Sequence, residues 1–397
     1  MHRRHFLLAT GSALTAAASA RAAGAGDRVR LGVVGTGGRG QLLTATAKEA
    51  GAEIAAVCDI YEKNLQEGLK LASSGAKPYS DYRLLLADKS LDAVMVATPD
   101  HWHSRITIDA LEAGKDVYVE KPLAHTIEQG FDMVRAVRRN KRILQVGTQR
   151  RSFPLFQEAR AIMTSGQVGD VALVTSWWMN SQQSLSQARF EGKIDWKTWL
   201  GSAPDRPPDP LRFFNWYHFW DYSGGMLVGQ AAHIIDAIQW LIGAGEPAAV
   251  SCVAPAPRIP GAEVPETAVL TVEFPGNRIA TFAISYSAMR YHRFNDQLKQ
   301  FHGARARFDV GREWFTVIPQ TREMELKVSA EKRDPGGFGR ADAAHILNFL
   351  DCVRSRKEPN APVEGGQATN IVLCMAMQSM RQHRRLTWNA AAHKVEG

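Results

Sequence analysis

Residues 29–40 read VRLGVVGTGGRG. An aliphatic run passes directly into a glycine cluster, Gly35-Thr36-Gly37-Gly38-Arg39-Gly40, and then into the amphipathic stretch RGQLLTATAKEA of residues 39–50. A G-x-G-x-x-G pattern gains meaning when it follows a strand and opens a helix, and this one does both. In that setting Gly35 permits the tight turn, Gly37 lets backbone approach a pyrophosphate, and Gly40 allows close helix–strand packing. The helix start then offers Thr36, Gly38 and Arg39 around a cluster of free N–H groups suited to an anion. The stretch predicts a dinucleotide-binding turn.

The same rhythm repeats downstream. EIAAVCD (53–59), LDAVMVATPD (91–100), DVYVEKP (116–122) and RILQVGTQ (142–149) alternate with helical stretches such as HWHSRITIDALEAG (101–114) and IEQGFDMVRAVRRN (127–140). Continuous aliphatic runs belong to strands buried on both faces, so the pattern predicts a doubly wound parallel sheet. Asp59 ends the second strand, where a carboxylate accepts hydrogen bonds from ribose hydroxyls and repels a 2′-phosphate. With no arginine at Ile60 or Tyr61, NAD is the expected cofactor rather than NADP.

Ligands of such sheets bind beyond the carboxyl ends of the strands. Polar groups gather there: Thr98-Pro99-Asp100-His101-Trp102-His103, Glu120-Lys121-Pro122 and Gly147-Thr148-Gln149-Arg150. Lys121, between an apolar strand and a proline, is expected to lose its proton readily and to accept one from a substrate hydroxyl as hydride leaves the adjoining carbon.

The chain has 397 residues, 45% hydrophobic and 22% charged, with a formal net charge of +8. That length accommodates two domains. The opening MHRRHFLLATGSALTAAASARAAGAG reads as a twin-arginine export leader. It carries Arg3, Arg4, Phe6 and Leu7 ahead of an alanine-rich run, with cleavage expected near residues 20–26. Removing the three leader arginines leaves 45 basic against 40 acidic residues. The remaining basic clusters at 138–142, 354–357 and 381–385 fall near predicted helix ends, where they suit the helix dipole. No nucleic-acid partner is expected. Nothing after residue 26 reads as apolar enough over a sufficient length to span a bilayer. Cys58, Cys252, Cys352 and Cys374 stand apart with no CxxC pair, so they read as small core residues, and no metal site is expected.

After residue 150 the chain changes character. WW at 177–178 and FFNWYHFWDY at 213–222 offer aromatic rings either to a core or to sugar faces. Residues 246–319 read as strands, including ETAVLTVEF and RIATFAISY joined by Pro275-Gly276-Asn277. Helices are expected around 226–242, 341–356 and 366–384.

The fingerprint, TPDHWH, the EKP triplet and GGMLVGQAAHIID together resemble the Gfo/Idh/MocA oxidoreductases, the family of glucose–fructose oxidoreductase and inositol dehydrogenase. The resemblance implies a Rossmann domain (27–150, after a 1–26 leader) and a second α/β domain (151–397) with a large, mainly antiparallel open sheet. It implies that Lys121 lies near the nicotinamide and that Glu120 and His103 contact cofactor or substrate. The Lys121–Pro122 bond is expected to be cis. In the family the later segment usually reads Asp-x-Gly-x-His, both acidic and imidazole groups serving the substrate hydroxyl. Here His233 is present, while Gly229 and Ala231 stand at the other two places. Gln230 is then the expected neutral partner of His233, with Arg150, Tyr217, Tyr222 and Asp236 as further substrate candidates.

These readings converge on a periplasmic oxidoreductase acting on a hydroxyl of a sugar, cyclitol or glycoside, with Lys121 and His233 as its acid/base pair. Its NAD is loaded before export through the twin-arginine machinery, then retained and regenerated in place. Two alternatives stand beside it. One is glycoside cleavage by oxidation, β-elimination and re-reduction. The other, which the missing carboxylate favours, is a non-catalytic NAD- or sugar-binding protein. Pairing of subunits through the second sheet is also expected.

Overall fold

The computed structural model describes residues 28–397 except 183, 322–324 and 326. The leader expected at 1–26 lies outside the described residues. Six strands form an all-parallel sheet: β1 (Arg30–Val34), β2 (Glu53–Cys58), β3 (Lys77–Tyr79), β4 (Ala93–Val96), β5 (Asp116–Val119) and β6 (Leu144–Val146). Their order is β3-β2-β1-β4-β5-β6, so the chain reverses direction across the sheet between β1 and β4. β4 and β5 are buried at every position, as their unbroken aliphatic sequences require.

Helices Gly38–Glu49, Asp100–Glu112 and Ile127–Asn140 connect these strands. A further helix, Ala341–Ser355, returns from far along the chain to this domain. Its Ile346, Phe349 and Leu350 pack with Leu31, Val33 and Tyr118.

The second sheet has ten strands: β7 (Val171–Met179), β8 (Ala249–Val253), β9 (Thr267–Phe274), β10 (Arg278–Ser285), β11 (Gln297–Gly303), β12 (Ala306–Val310), β13 (Trp314–Pro319), β14 (Ala330–Arg333), β15 (Leu386–Asn389) and β16 (Lys394–Glu396). They lie in the order β14-β13-β12-β11-β7-β10-β9-β8-β15-β16. The β7–β10 pair is parallel and the neighbouring pairs run antiparallel. β9 and β10 meet through the expected turn, with Gly276 and Asn277 both at positive φ. The WW pair proves to be the end of β7, near the middle of this sheet.

Helix Gly225–Ile242 corrects one expectation, because it is long and apolar enough to cross a membrane. Its side chains are instead used internally: Leu227, Ile234, Ile238 and Leu241 join Phe282 and Leu270 of the sheet in one core. The four cysteines are buried and free, as small core residues should be. The outer face of the large sheet carries exposed Leu173, Val253, Val269 and Ile279.

Two glycines of the first turn are sterically obligatory. Gly35 has φ +86, and a Cβ there would lie 2.8 Å from the Ala97 carbonyl. A Cβ at Gly40 would lie 1.9 Å from the Gly35 oxygen, a backbone atom that cannot swing aside. Gly38 meets nothing within 4 Å. Gly40→Ala should therefore lower thermal stability by the equivalent of about 1–3 kcal/mol or more. Gly38→Ala should melt like the parent while weakening NAD binding. Equal melting temperatures for the two variants would contradict this account.

Candidate active site

The glycine turn, the end of β2 and the start of helix Asp100–Glu112 enclose a crevice of about 310 Å³. Asp59 stands at its rim. One carboxylate oxygen accepts the Thr36 N–H at 2.7 Å and the other the Tyr61 N–H at 2.9 Å. Burial pushes this carboxyl up, and the two N–H donors oppose that shift. Thr98 and Pro99 also line the crevice, with Gly37, Gly38 and Arg39 opposite. The open space over Gly37 and Gly38, bounded by backbone that Gly35 and Gly40 allow to close up, fits a dinucleotide's pyrophosphate.

The far wall comes from the second domain. Trp199, Phe213, Phe214 and Trp216 face Asp59 across the crevice. The segment carrying them is laced to the first domain just past Asp59. Glu62 N–H donates to the Lys193 carbonyl at 2.9 Å, Asp195 N–H to the Ile60 carbonyl at 2.9 Å, and Glu191 N–H to the Tyr61 hydroxyl at 2.7 Å. Tyr61 packs edge-on against Phe213, centroids 5.3 Å apart. At the other end the Trp199 carbonyl takes the Trp102 indole N–H at 3.0 Å and faces His101 Nε2 at 3.0 Å. The segment from Glu191 to Trp216 thus forms a strap over the nucleotide crevice, and the irregular sequence of the aromatic tract did not signal the part that Phe213, Phe214 and Trp216 take in it.

At the end of β5, Glu120 is almost fully buried. Arg39 Nε bonds its carboxylate at 2.7 Å, while Arg39 Nη2 holds Asp342 at 2.7 Å. Burial opposes ionisation of Glu120, but Arg39 and Lys121 outweigh it and hold its pKa below the ordinary value. Gly147 makes room: a Cβ there would lie 2.9 Å from the Glu120 carboxylate. The Lys121–Pro122 bond is cis, as expected. Lys121 Nζ donates to the Gly229 carbonyl at 3.2 Å. Burial pushes the lysine pKa down, with Arg39 and Arg150 adding to the effect and Glu120 and Asp100 opposing it. Asp100 and Asp342 were not singled out from sequence. Asp100 lay within TPDHWH, whereas Asp342 is 303 residues from Arg39.

Across from Lys121 runs helix Gly225–Ile242. His233 lies parallel to Trp178, centroids 6.3 Å apart. Its Nδ1 has no hydrogen-bond partner among the described residues, and burial together with Lys121 and Arg150 lowers its pKa far enough to keep the ring neutral. Position 229 lies against Tyr217, at ordinary van der Waals distance. A Cβ there would sit 3.4–3.5 Å from Cε2, Cζ and the hydroxyl of Tyr217. The Tyr217 hydroxyl thus stands beside position 229, with burial pushing its phenol pKa up.

Other candidates fall elsewhere. Gln230 bonds Tyr286 instead of partnering His233. Asp236 is 1% exposed and held by both Nε and Nη2 of Arg151, so it ties the helix to the turn after β6. Tyr222 is fully buried against Trp199, centroids 4.5 Å apart, inside the strap's own core. His103 lies between the Pro122 carbonyl at 2.7 Å and the Thr98 carbonyl at 2.9 Å, so both ring nitrogens face backbone. It positions the cis-proline turn and has no nitrogen free for a ligand. Gln149 is buried with its Oε1 unpartnered among the described residues. Arg150 is buried with its guanidinium over Trp178, 5.7 Å from the ring centroid.

A parallel sheet in this order, with a glycine turn at its switch point and an Asp at the end of β2, is the arrangement of an NAD-binding Rossmann domain. Residues 29–148 match the oxidoreductase family's NAD-binding Rossmann fold, and residues 193–388 match the same family's C-terminal alpha/beta domain. The chain belongs to this Gfo/Idh/MocA family. It is 30% identical over 218 residues to inositol 2-dehydrogenase 2 of Saccharopolyspora erythraea, covering 54% of each chain. It is 31% identical over 182 residues to inositol 2-dehydrogenase of Salmonella paratyphi B, covering 43% of this chain and 54% of the relative. The chain thus spans about half the length of these curated relatives. Among solved structures, an oxidoreductase domain protein from Kribbella flavida superposes with TM-score 0.74 at 20% identity, over 90% of this chain and 98% of the other. Levoglucosan dehydrogenase in complex with NADH and levoglucosan gives 0.73 at 18%, over 91% and 99%.

Burial lowers the pKa of several histidines, and pushes His101 and His345 down to about 4. Their unfolded counterparts titrate near 6.5, so between these values the unfolded chain binds more protons. Stability should fall as pH drops from 6.5 toward 4, by about 1.4 kcal/mol per unit for each ring. Thermal melts across that window should show the slope. His345→Gln should flatten it, and an unchanged slope would contradict the assignment.

Proposed function

We propose that this protein oxidises a hydroxyl of a sugar, cyclitol or glycoside using an NAD that stays bound through turnover. The strap carries this reading. Four aromatic side chains from the second domain wall the nucleotide crevice, and several hydrogen bonds lace their segment down beside Asp59. Release of the cofactor at each cycle would require that lacing to open. The inositol and levoglucosan dehydrogenases among the similar proteins support a polyhydroxylated substrate.

Bound NAD supplies a two-electron acceptor, restored in place by a second carbonyl compound or, in redox-neutral glycoside cleavage, by the oxidised substrate itself. The chain's own groups manage protons. Lys121, with its ammonium form disfavoured, accepts the hydroxyl proton, and Glu120 and Asp100 stabilise the ammonium that results. Neutral His233 accepts a hydrogen bond or proton from the same region, and the Tyr217 hydroxyl takes the orienting role of the carboxylate absent from position 229. Retention also fits export in the folded state to a periplasm, where a released cofactor would not be replaced.

Mature protein from the periplasm should carry about one nicotinamide per chain through desalting, and Trp199→Ala combined with Phe213→Ala should strip it. Protein that emerges without nicotinamide and does not take it up would defeat the proposal. Lys121→Ala should abolish turnover of every sugar while leaving NAD bound. In the parent, the oxidation rate should rise with pH and level off below the ordinary lysine value of 10.5, because the lowered pKa makes the free amine available earlier. The exposed aliphatic face of the large sheet supports pairing of two copies. A monomer by sedimentation at micromolar concentration would exclude it.

A further inference from the structure

Behind Trp178, the inner face of β11 meets the turn Gln149–Ser152 in a cluster of charged side chains. Arg150 is 1% exposed and Lys299 is fully buried. Arg150 Nη2 donates to the Gln297 amide oxygen, but its Nε and Nη1 have no partner among the described residues, and neither has Lys299 Nζ. Arg312 bonds Asp296, whose other oxygen is also unpartnered. The nearby Asp236 is already occupied by Arg151. Two guanidiniums and an amine whose charged form burial strongly disfavours therefore face one available carboxylate.

Aromatic rings complete the walls. Arg150 lies 5.1 Å from the Phe338 centroid and 5.7 Å from that of Trp178, and Lys299 Nζ lies 5.3 Å from that of Phe156. Ring faces attract cations but accept no conventional hydrogen bonds, so the N–H groups stay unsatisfied. Burying such charge is strongly unfavourable without a counter-charge, and an apolar residue at 299 would pack this core better. An arrangement that disfavours the core it occupies points to a ligand. Trp178 also neighbours His233, centroids 6.3 Å apart, and Arg150 is among the charges disfavouring protonation of both His233 and Lys121.

We infer that Arg150 and Lys299 form an oxyanion subsite beside the reacting centre, so that the preferred carbohydrate carries a carboxylate or a phosphate. The inference rests on the reading of this site as one that oxidises carbohydrate hydroxyls. The nucleotide's own phosphates belong at the glycine turn, and neither Arg150 nor Lys299 lines that crevice.

The experiment uses the full mature, NAD-loaded protein. Nicotinamide reduction is followed with glucuronate, glucose 6-phosphate, glucose and myo-inositol, and glucuronate and glucose 6-phosphate binding are measured separately by calorimetry. At least one charged sugar should exceed the neutral ones in kcat/KM by about tenfold or more, in line with charge-assisted bonding. The better of the two identifies carboxylate or phosphate. Lys299→Met and Arg150→Gln should bring that ratio toward one, and Lys299→Arg should restore part of it, with NAD content and melting temperature reporting integrity. Neutral sugars oxidised as well as charged ones, with no binding of either anion, would overturn the subsite and leave the oxidoreductase reading intact. Glucuronate or glucose 6-phosphate binding that is lost in Lys299→Met, without oxidation of any sugar, would uphold the subsite and overturn that reading.

Discussion

The ion pair between Arg39 and Glu120 is the constraint on which the site depends. A carboxylate as buried as Glu120 is tenable only while a counter-charge reaches it. Arg39 meets that need from the glycine turn, and its second arm grips Asp342 on the helix Ala341–Ser355. Three parts of the chain that are far apart in sequence are thereby fixed to one point, the carboxyl end of β5. Lys121 follows immediately, so its ammonium is placed by the same contacts that settle the nucleotide turn. Removing Arg39 would leave an uncompensated charge beside the residue whose protonation matters most.

The second domain supplies what the first lacks. The parallel sheet offers a floor for a dinucleotide but no cover, and the strap from Glu191 to Trp216 provides one with aromatic area and backbone hydrogen bonds. Helix Gly225–Ile242 supplies His233 and, through the Gly229 carbonyl, a brace for Lys121. Absence of a side chain at 229 is not empty space, because the Tyr217 ring stands against it. The Tyr217 hydroxyl, from a different segment, lies next to this position.

The parts of this arrangement legible in sequence were those with local causes. The Gly35 and Gly40 requirements, the aliphatic strands and the placing of Lys121 at a strand end all follow from periodicity and backbone sterics within a few residues. So does the β9–β10 hairpin. What escaped was set by contacts between distant segments. No pattern in FFNWYHFWDY distinguishes Phe213 and Trp216 on a nucleotide wall from Tyr222 in a core. Asp236 looked available on its helix until Arg151 claimed it, and the Arg39–Asp342 contact joins residues 303 apart. Gln230 was assigned to His233 by spacing along the helix, but its amide turns toward Tyr286.

Helix Ala341–Ser355 has a consequence for biogenesis. It covers apolar surface on the nucleotide-binding sheet with Ile346, Phe349 and Leu350, yet it is synthesised long after β6, the last strand of that sheet. β7 likewise waits for β10, whose residues pair with it from about a hundred positions later. The first sheet stays uncovered until that helix has been made and the second waits for its own later strands, so the two halves complete their cores late and together. A quality-control step that admits only finished molecules would therefore sense the whole polypeptide at once, and a fragment ending after the first sheet would remain a sticky, unfinished product.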